Sequence, residues 1–405
     1  MLRPGDRGGP YTEYFTALNN ELLRAGPGRP AAVIDLDMLD GNIEVMNRRL
    51  RPPLKFRLVV KSLPSLRLIR YVMERTGASR LMVFHQPDLN YLAAEGFGDV
   101  DILLGKPMPV NAVRVLYRSV RRDRGFSPER QIQWIVDTPG RLGQYLALSR
   151  EMNVRMRVNI EIDVGLHRGG IRTMDELRQM LSLIEANPRY LVFSGFMGYD
   201  VHAASAPPVI SSKEKAFGHA MARYRELYEN GKRMYPGLFR GELTFNSGGS
   251  KTYPLFDGTG PVNDIALGSV LVKPSDFESG LMEEHQPAFF IAAPVLKRLE
   301  GVTIPFIESF SGLMEAMNPN WQVTYFIYGG GWRADYLSPA GLVDNPIYGF
   351  STNQAIVNGS RRTALRVDDY IFFRPTQSEG IMREFGDIVV VRGGKIEGCW
   401  PAFPQ

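Results

Sequence analysis

From Arg57 to Leu271 the chain alternates between two hydrophobic rhythms. Runs that are apolar almost throughout occur at 57–61, 80–84, 101–104, 131–136, 155–162, 190–197, 242–246 and 264–271. Between them lie stretches with apolar residues three and four apart: Leu66–Thr76, Asp88–Ala94, Asn111–Arg121, Gly140–Met152, Met174–Glu185 and Ser212–Met234. The first rhythm is that of strands buried on both faces, the second that of helices with one apolar face. Their alternation predicts parallel strands covered by helices, and eight repeats favour a closed (β/α)₈ barrel over an open doubly wound sheet. No dinucleotide-type glycine fingerprint follows the first run, which also argues against the open fold.

The pattern differs at both ends. Residues 1–30 are rich in Gly, Pro and Arg, with one helix expected around Tyr14–Arg24. Ala31–Leu36 reads as a strand, and Asp37 as the cap of a helix reaching about Arg49. After about Pro274 helical periodicity fades into short β-like runs at Phe289–Leu296, Val302–Phe306, Thr324–Tyr328, Tyr370–Phe373, Ile388–Val391 and Lys395–Trp400. The expected organisation is α/β: an N-terminal segment over 1–30, a barrel with its lead-in strand and helix over 31–272, and a mainly antiparallel β domain over 273–405.

Composition excludes more than it selects. With 44% hydrophobic and 22% charged residues the chain is ordinary globular protein. The formal charge of +5 is thinly spread; its densest cluster, Arg118, Arg121, Arg122 and Arg124, ends a helix and has no interleaved aromatics, so no nucleic-acid partner is expected. Cys399 is the only cysteine, which excludes an intrachain disulfide and a cysteine-built zinc site. The first residues lack a signal peptide's apolar core and no window approaches the roughly 20 apolar residues of a membrane span, so a cytoplasmic protein without a membrane partner is expected.

In such barrels chemistry sits at the C-terminal ends of the strands. The polar residues there are Lys61; His85; Asp137; Asp163, His167 and Arg168; Tyr199 and His202; Asn246-Ser247-Gly248-Gly249-Ser250; and Gly268-Ser269. Lys61 closes an apolar run, where an ammonium must be paired, exposed or used. The late Gly- and Ser-rich turns offer backbone N–H groups for a phosphate. Amine, phosphate cradle and donors therefore fall on one barrel face.

Lys61, Glu161-Ile162-Asp163-Val164-Gly165-Leu166-His167-Arg168-Gly169-Gly170-Ile171, Gly198-Tyr199-Asp200-Val201-His202 and Ser247-Gly248-Gly249-Ser250-Lys251-Thr252-Tyr253 together resemble the alanine-racemase-type (fold type III) pyridoxal phosphate enzymes. The likeness is nearest to their D-threonine aldolase and D-serine dehydratase branch. It implies pyridoxal 5'-phosphate as cofactor and Lys61 as its Schiff-base lysine. It sets Arg168 near the cofactor's phenolic oxygen and His202 by the pyridine ring, and Tyr199 matches a tyrosine placed near the cofactor in the aldolase branch. It assigns the phosphate to Ser247, Gly248, Gly249 and Ser250, completed by Gly268 and Ser269, with Asn246 beside them as a cofactor-binding candidate. Arg57 matches an arginine four residues before that branch's lysine and becomes a substrate-side candidate. A small amino acid is the implied substrate, and a homodimer with shared sites the implied assembly.

Three departures qualify the likeness. Leu63 stands where the aldolase branch has histidine, and Ala266 where racemases place an arginine facing the pyridine nitrogen. That branch's metal pair falls on Gln377 and Glu379; a neutral amide and one carboxylate hold a divalent ion poorly, so a metal site is expected to be missing. Glu379 then becomes a candidate base or acceptor, with Gln377 beside it. The expected activity is a lyase acting on a β-hydroxy, D-configured amino acid by retro-aldol cleavage or dehydration. The alternatives are a racemase or epimerase whose second base is Tyr325, Tyr328 or Tyr336, and a non-catalytic pyridoxal phosphate carrier. Tyr328–Tyr336, with three consecutive glycines, is expected to be a loop with an anchored tryptophan, or else a specificity element.

Overall fold

Helix α1 (Glu13–Ala25), strand β1 (Ala31–Asp35) and helix α2 (Leu36–Arg49) lead into eight parallel strands that close into a barrel in chain order. These are β2 (Lys55–Val59), β3 (Arg80–Val83), β4 (Asp101–Leu104), β5 (Ile132–Val136), β6 (Met156–Glu161), β7 (Leu191–Met197), β8 (Thr244–Ser247) and β9 (Asp264–Leu267). Closure is made by β2 against β9, with Leu58 opposite Leu267. Helices α3 (Leu66–Thr76), α4 (Gln86–Ala94), α5 (Val110–Ser119), α6 (Pro128–Gln131), α7 (Pro139–Met152), α8 (Met174–Glu185) and α9 (Lys213–Met234) run between the strands. This computed structural model describes residues 4–120, 125–207, 209–302, 317–345, 347–349 and 351–404; Arg121, Arg122, Arg124 and the expected strand residues 303–306 lie outside them.

Local chemistry sets the helix ends. Thr173 and Glu176 form a reciprocal capping box at α8, each side chain bonding the other's backbone N–H. Helix α2 begins two residues earlier than expected because Asp35, not Asp37, is its cap: Asp35 Oδ1 accepts the N–H groups of Asp37 and Met38. Two strand ends also differ. Strand β2 stops at Val59 and β9 at Leu267, and the chain then turns through short 3₁₀ segments, Val60–Ser62 and Ser269–Leu271.

The lower barrel interior holds a buried charge network. Arg57, 0% exposed, donates to both carboxylate oxygens of Asp264 at 2.7 and 3.1 Å, to Asp101 Oδ2 at 2.8 Å, and to the carbonyls of Leu81 and Asp101 at 3.0 Å each. Burial alone would raise the Asp101 pKa, but Arg57 and Arg157 hold it at about 2.

The remaining strands are β10 (Phe289–Glu300), β11 (Val323–Tyr328), β12 (Ala334–Ser338), β13 (Val343–Asp344), β14 (Gln354–Gly359), β15 (Tyr370–Pro375), β16 (Asp387–Arg392) and β17 (Lys395–Pro401). Strand β1 joins them, antiparallel to β10 and parallel to β16, so the lead-in strand belongs to this sheet and not to the barrel. The chain forms two compact units, 1–42 with 271–278 and 284–405, and 43–270 with 279–283. The sheet unit's core sets Phe15, Leu18 and Leu22 of α1 against Val33, Phe290, Phe372 and Val391. Strands β12, β13 and β14 were not expected. The first two are short and half-exposed, with little apolar alternation to read. Trp332 is anchored in this unit, 5.7 Å from the Phe373 ring and 5.5 Å from that of Phe385. The preceding turn needs glycine: Gly330 has φ +138, and a Cβ there would lie 2.3 Å from the Ala355 Cβ. Among the described residues no helix is long and apolar enough to cross a membrane.

Candidate active site

The shortening of β2 brings Lys61 into a turn at the barrel mouth, half-buried, with Nζ 4.7 Å from the centre of the Phe84 ring. Phe84 follows β3 and is itself seated against Gly105, where a Cβ would come within 2.2 Å of the ring. Next to Lys61, Ser62 is buried and its Oγ lies 3.0 Å from Ser269 Oγ. Gly268 is equally close: a Cβ there would lie 2.6 Å from Ser62 Oγ and 2.9 Å from Val59 Cβ.

The turn after β8 is tied to the turn after β9. Ser250 Oγ accepts the N–H groups of Gly268 at 3.4 Å and Val270 at 3.1 Å. Gly248 has φ +76, which glycine adopts without strain. Ser247 Oγ donates to the Gly198 carbonyl at 2.9 Å, and Asp200 Oδ1 accepts from Thr252 Oγ1 at 2.7 Å. Asp200 is 0% exposed, and burial pushes its carboxyl up to about 6 against the opposing pull of hydrogen bonds from Thr252 and Ser247.

The third part is the loop after β6. Asp163, buried, accepts the N–H groups of Gly165 and His167, the His167 ring at 2.8 Å and Arg172 Nε at 2.9 Å, which folds the loop around it. Arg168 lies with its guanidinium 5.0 Å from the centre of the Tyr199 ring. Tyr199 in turn abuts the phosphate-type turn: a Cβ on Gly249 would stand 3.0 Å from its ring. His202 sits in a 3₁₀ turn with Nε2 only 2.9 Å from where a Gly165 Cβ would be. Its Nδ1 is buried with no hydrogen-bond partner, and burial lowers its pKa. Glu161, at the end of β6, shares a small cavity with Arg168 and Tyr199. Burial, then the nearby Asp137 carboxylate, push its carboxyl up to about 7, against the pull of Arg168.

Of the residues expected from sequence, Lys61, Arg168, Tyr199, His202, Ser247, Gly248, Gly249, Ser250, Gly268 and Ser269 fall on these connected strand-end turns. Arg57 does not fit its substrate-side role: all five of its N–H groups are engaged in the barrel interior. Asn246 also turns inward, its amide donating to the Asp264 carbonyl at 3.2 Å and carboxylate at 2.6 Å. Gln377 and Glu379 belong to the sheet unit, after β15, where the Gln377 amide donates to Asp276 at 3.0 Å. Among the candidate tyrosines of that unit, Tyr325 is 0% exposed, Tyr336 donates to Asp344 at 2.6 Å, and Tyr328 is 43% exposed. Sequence reasoning missed Phe84, Glu161 and Asp200. The last two lie inside quoted motifs, but the sequence alone does not say which way each side chain points.

A parallel barrel with an amine at one strand end, glycine turns at two late strand ends and ring-side donors between them is the architecture of a fold type III cofactor barrel. Residues 34–235 match the alanine racemase N-terminal domain, and through it the chain belongs to that family, for which pyridoxal phosphate is the expected cofactor. Among solved structures, D-threo-3-hydroxyaspartate dehydratase from Delftia sp. HT23 is 17% identical with a TM-score of 0.69, covering 95% of this chain and 99% of that one. D-Threonine aldolase from Filomicrobium marinum is 15% identical, TM-score 0.68, covering 92% and 96%. Alanine racemase from Bacillus anthracis is 14% identical, TM-score 0.69, covering 92% and 97%. No curated protein sequence matches the chain.

The residues present fit pyridoxal phosphate: a lysine at the mouth, two glycine turns in which side chains would collide, and a buried, unpartnered imidazole nitrogen. They do not fit a metal ion at Gln377 and Glu379. The Gln377 amide nitrogen donates to the Asp276 carboxylate, and an amide beside one carboxylate is a poor donor set for a divalent ion.

Proposed function

We propose that this chain is a pyridoxal phosphate-dependent lyase acting on a β-hydroxy, D-configured amino acid by retro-aldol cleavage or dehydration, as a homodimer. The observation that carries the cofactor part is the contact of Ser62 with Ser269, which sets the Lys61 turn against the glycine turns ending β8 and β9. The choice of reaction draws support from the dehydratase and aldolase among the structural neighbours.

Pyridoxal phosphate, when bound, supplies an electron sink for negative charge at the substrate's α-carbon. Lys61 would hold it covalently and, once released, be an amine able to take or give a proton at the mouth. Ser247, Gly248, Gly249, Ser250, Gly268 and Ser269 would hold its phosphate. Arg168, fixed over Tyr199, would hold its ring oxygen, and His202, kept neutral by burial, would lie against its ring. Glu161 can hold or release a proton near neutral pH in the cavity it shares with Arg168. Which substrate bond breaks depends on how these groups orient it.

Lys61→Ala should abolish the visible absorbance of the lysine-bound cofactor, and borohydride should fix the cofactor to the wild type alone. Incubation with D- and L-β-hydroxy amino acids should then yield aldehyde or keto acid from D-substrates. Exchange of the α-hydrogen with solvent deuterium and racemisation, without either product, would overturn the lyase assignment in favour of a racemase. An absorbance that no amino acid changes would leave a carrier.

A further inference from the structure

Asp200 is a buried carboxylate for which the chemistry above has no use. It is 0% exposed, on the exit of β7, and lies under the turn that follows β8. Its two oxygens reach both ends of that turn. Oδ1 accepts from Thr252 Oγ1 at 2.7 Å, and Oδ2 is 3.4 Å from Ser247 Oγ; Ser247 and Thr252 are both fully buried. The turn is closed between them by the bonds of Thr252 N and Tyr253 N to the Gly249 carbonyl, 3.0 Å each. Burying a carboxylate is costly, and here its hydrogen-bond partners are the Thr252 and Ser247 hydroxyls and the backbone N–H groups of Asp200 and Gly248, with no cation paired to it among the described residues. Such a group makes sense as an internal tie that holds a loop of small residues in one shape, because the glycines Gly248 and Gly249 have no side chains with which to hold it.

We infer that Asp200 is a positioning residue for phosphate recognition: it fixes Ser247 and Thr252 from below, so that the Ser247–Thr252 turn is already shaped when a phosphate monoester arrives. The inference rests on the cofactor assignment above and adds which buried group sets its phosphate specificity.

The test compares pyridoxal 5'-phosphate with pyridoxal, which has the same ring and aldehyde without the phosphate, both followed by absorbance on the full chain. Asp200→Ala should weaken the phosphorylated form at least about tenfold and leave pyridoxal within about twofold of wild type. Asp200→Asn, which keeps an acceptor for Thr252, should recover most of that loss. Thr252→Val, which removes the donor and leaves the carboxyl, should reproduce the selective loss if Asp200→Ala does not fold. Equal weakening of both ligands, or no weakening of either, would overturn the inference. A wild-type protein that links neither ligand to Lys61 would overturn the cofactor assignment and this inference together.

Discussion

Ser62 Oγ and Ser269 Oγ stand 3.0 Å apart, joining the turn that carries Lys61 to the turn that ends β9. Ser250 then ties that turn to the one after β8, and Asp200 ties the β8 turn to the exit of β7. The ends of β2, β9, β8 and β7 are thereby linked by side-chain hydrogen bonds. Removing one such hydroxyl loses a buried hydrogen bond, typically about 1 kcal/mol. Ser269→Ala should lower the denaturant midpoint by that amount and weaken cofactor binding severalfold; unchanged binding would mean the link is structural only.

Gly268→Ala is a sharper test, because a Cβ would stand 2.6 Å from Ser62 Oγ, 2.7 Å from Ser62 Cβ and 2.9 Å from Val59 Cβ. Overpacking of this kind costs about 1–3 kcal/mol. Stability should fall by that much and the visible absorbance should be lost. Adding Ser62→Ala should not restore either, since the Ser62 Cβ remains in the way. A Gly268→Ala protein with wild-type spectrum and melting temperature would contradict the packing.

Arg57→Met should behave as a stability mutation. It leaves Asp264 and Asp101 with one fewer cation in the barrel interior, and breaking a buried ion pair costs about 3–5 kcal/mol. The expected result is a large drop in urea midpoint. A soluble, stable variant with only a raised KM would return Arg57 to the substrate side.

Glu161 gives a pH prediction. Its carboxyl rises from an ordinary 4.5 to about 7 in the folded chain, so the folded state binds the proton more tightly than the unfolded one. Its contribution to stability is therefore fully present below about pH 4.5 and is lost as pH rises through 7. Glu161→Gln removes this dependence. Its stability relative to wild type should grow between those limits by roughly 1–3 kcal/mol and level off above them. A constant difference at pH 5 and pH 8 by chemical denaturation would rule the shift out.

Because the Gln377 amide donates to Asp276 and offers no imidazole or thiolate, EDTA should leave the activity unchanged. Loss on EDTA treatment with recovery on adding manganese or zinc would show that a metal is held by other residues.

The barrel was legible because its evidence is local. Continuous apolar strands and three-to-four spacing are fixed by the side chains themselves, so the expected runs match β2 to β9 within a few residues. The sheet unit was harder. Strand β1 reads like part of the barrel in sequence, yet pairs with β10 and β16, more than 250 residues away. Hydrophobic pattern says that a strand is buried, but not which sheet buries it.

The same division runs through the site. Lys61, the glycine turns and the Asp163 loop could be named from the sequence, because strand ends and small-residue turns are one-dimensional signals. What only the tertiary structure decided is direction and partner. Arg57 faces Asp264, 207 residues on, and so serves the barrel interior. Asn246 and Ser247 are neighbours whose side chains point to opposite sides of one strand, the first to Asp264 and the second to Gly198. Lys61 itself was read as the last residue of a strand, and the fold sets it in a turn beyond the strand's end, where closure of β2 on β9 brings Ser269 to its neighbour. A sequence specifies which residues are able to do chemistry; closing the barrel selects which of them meet.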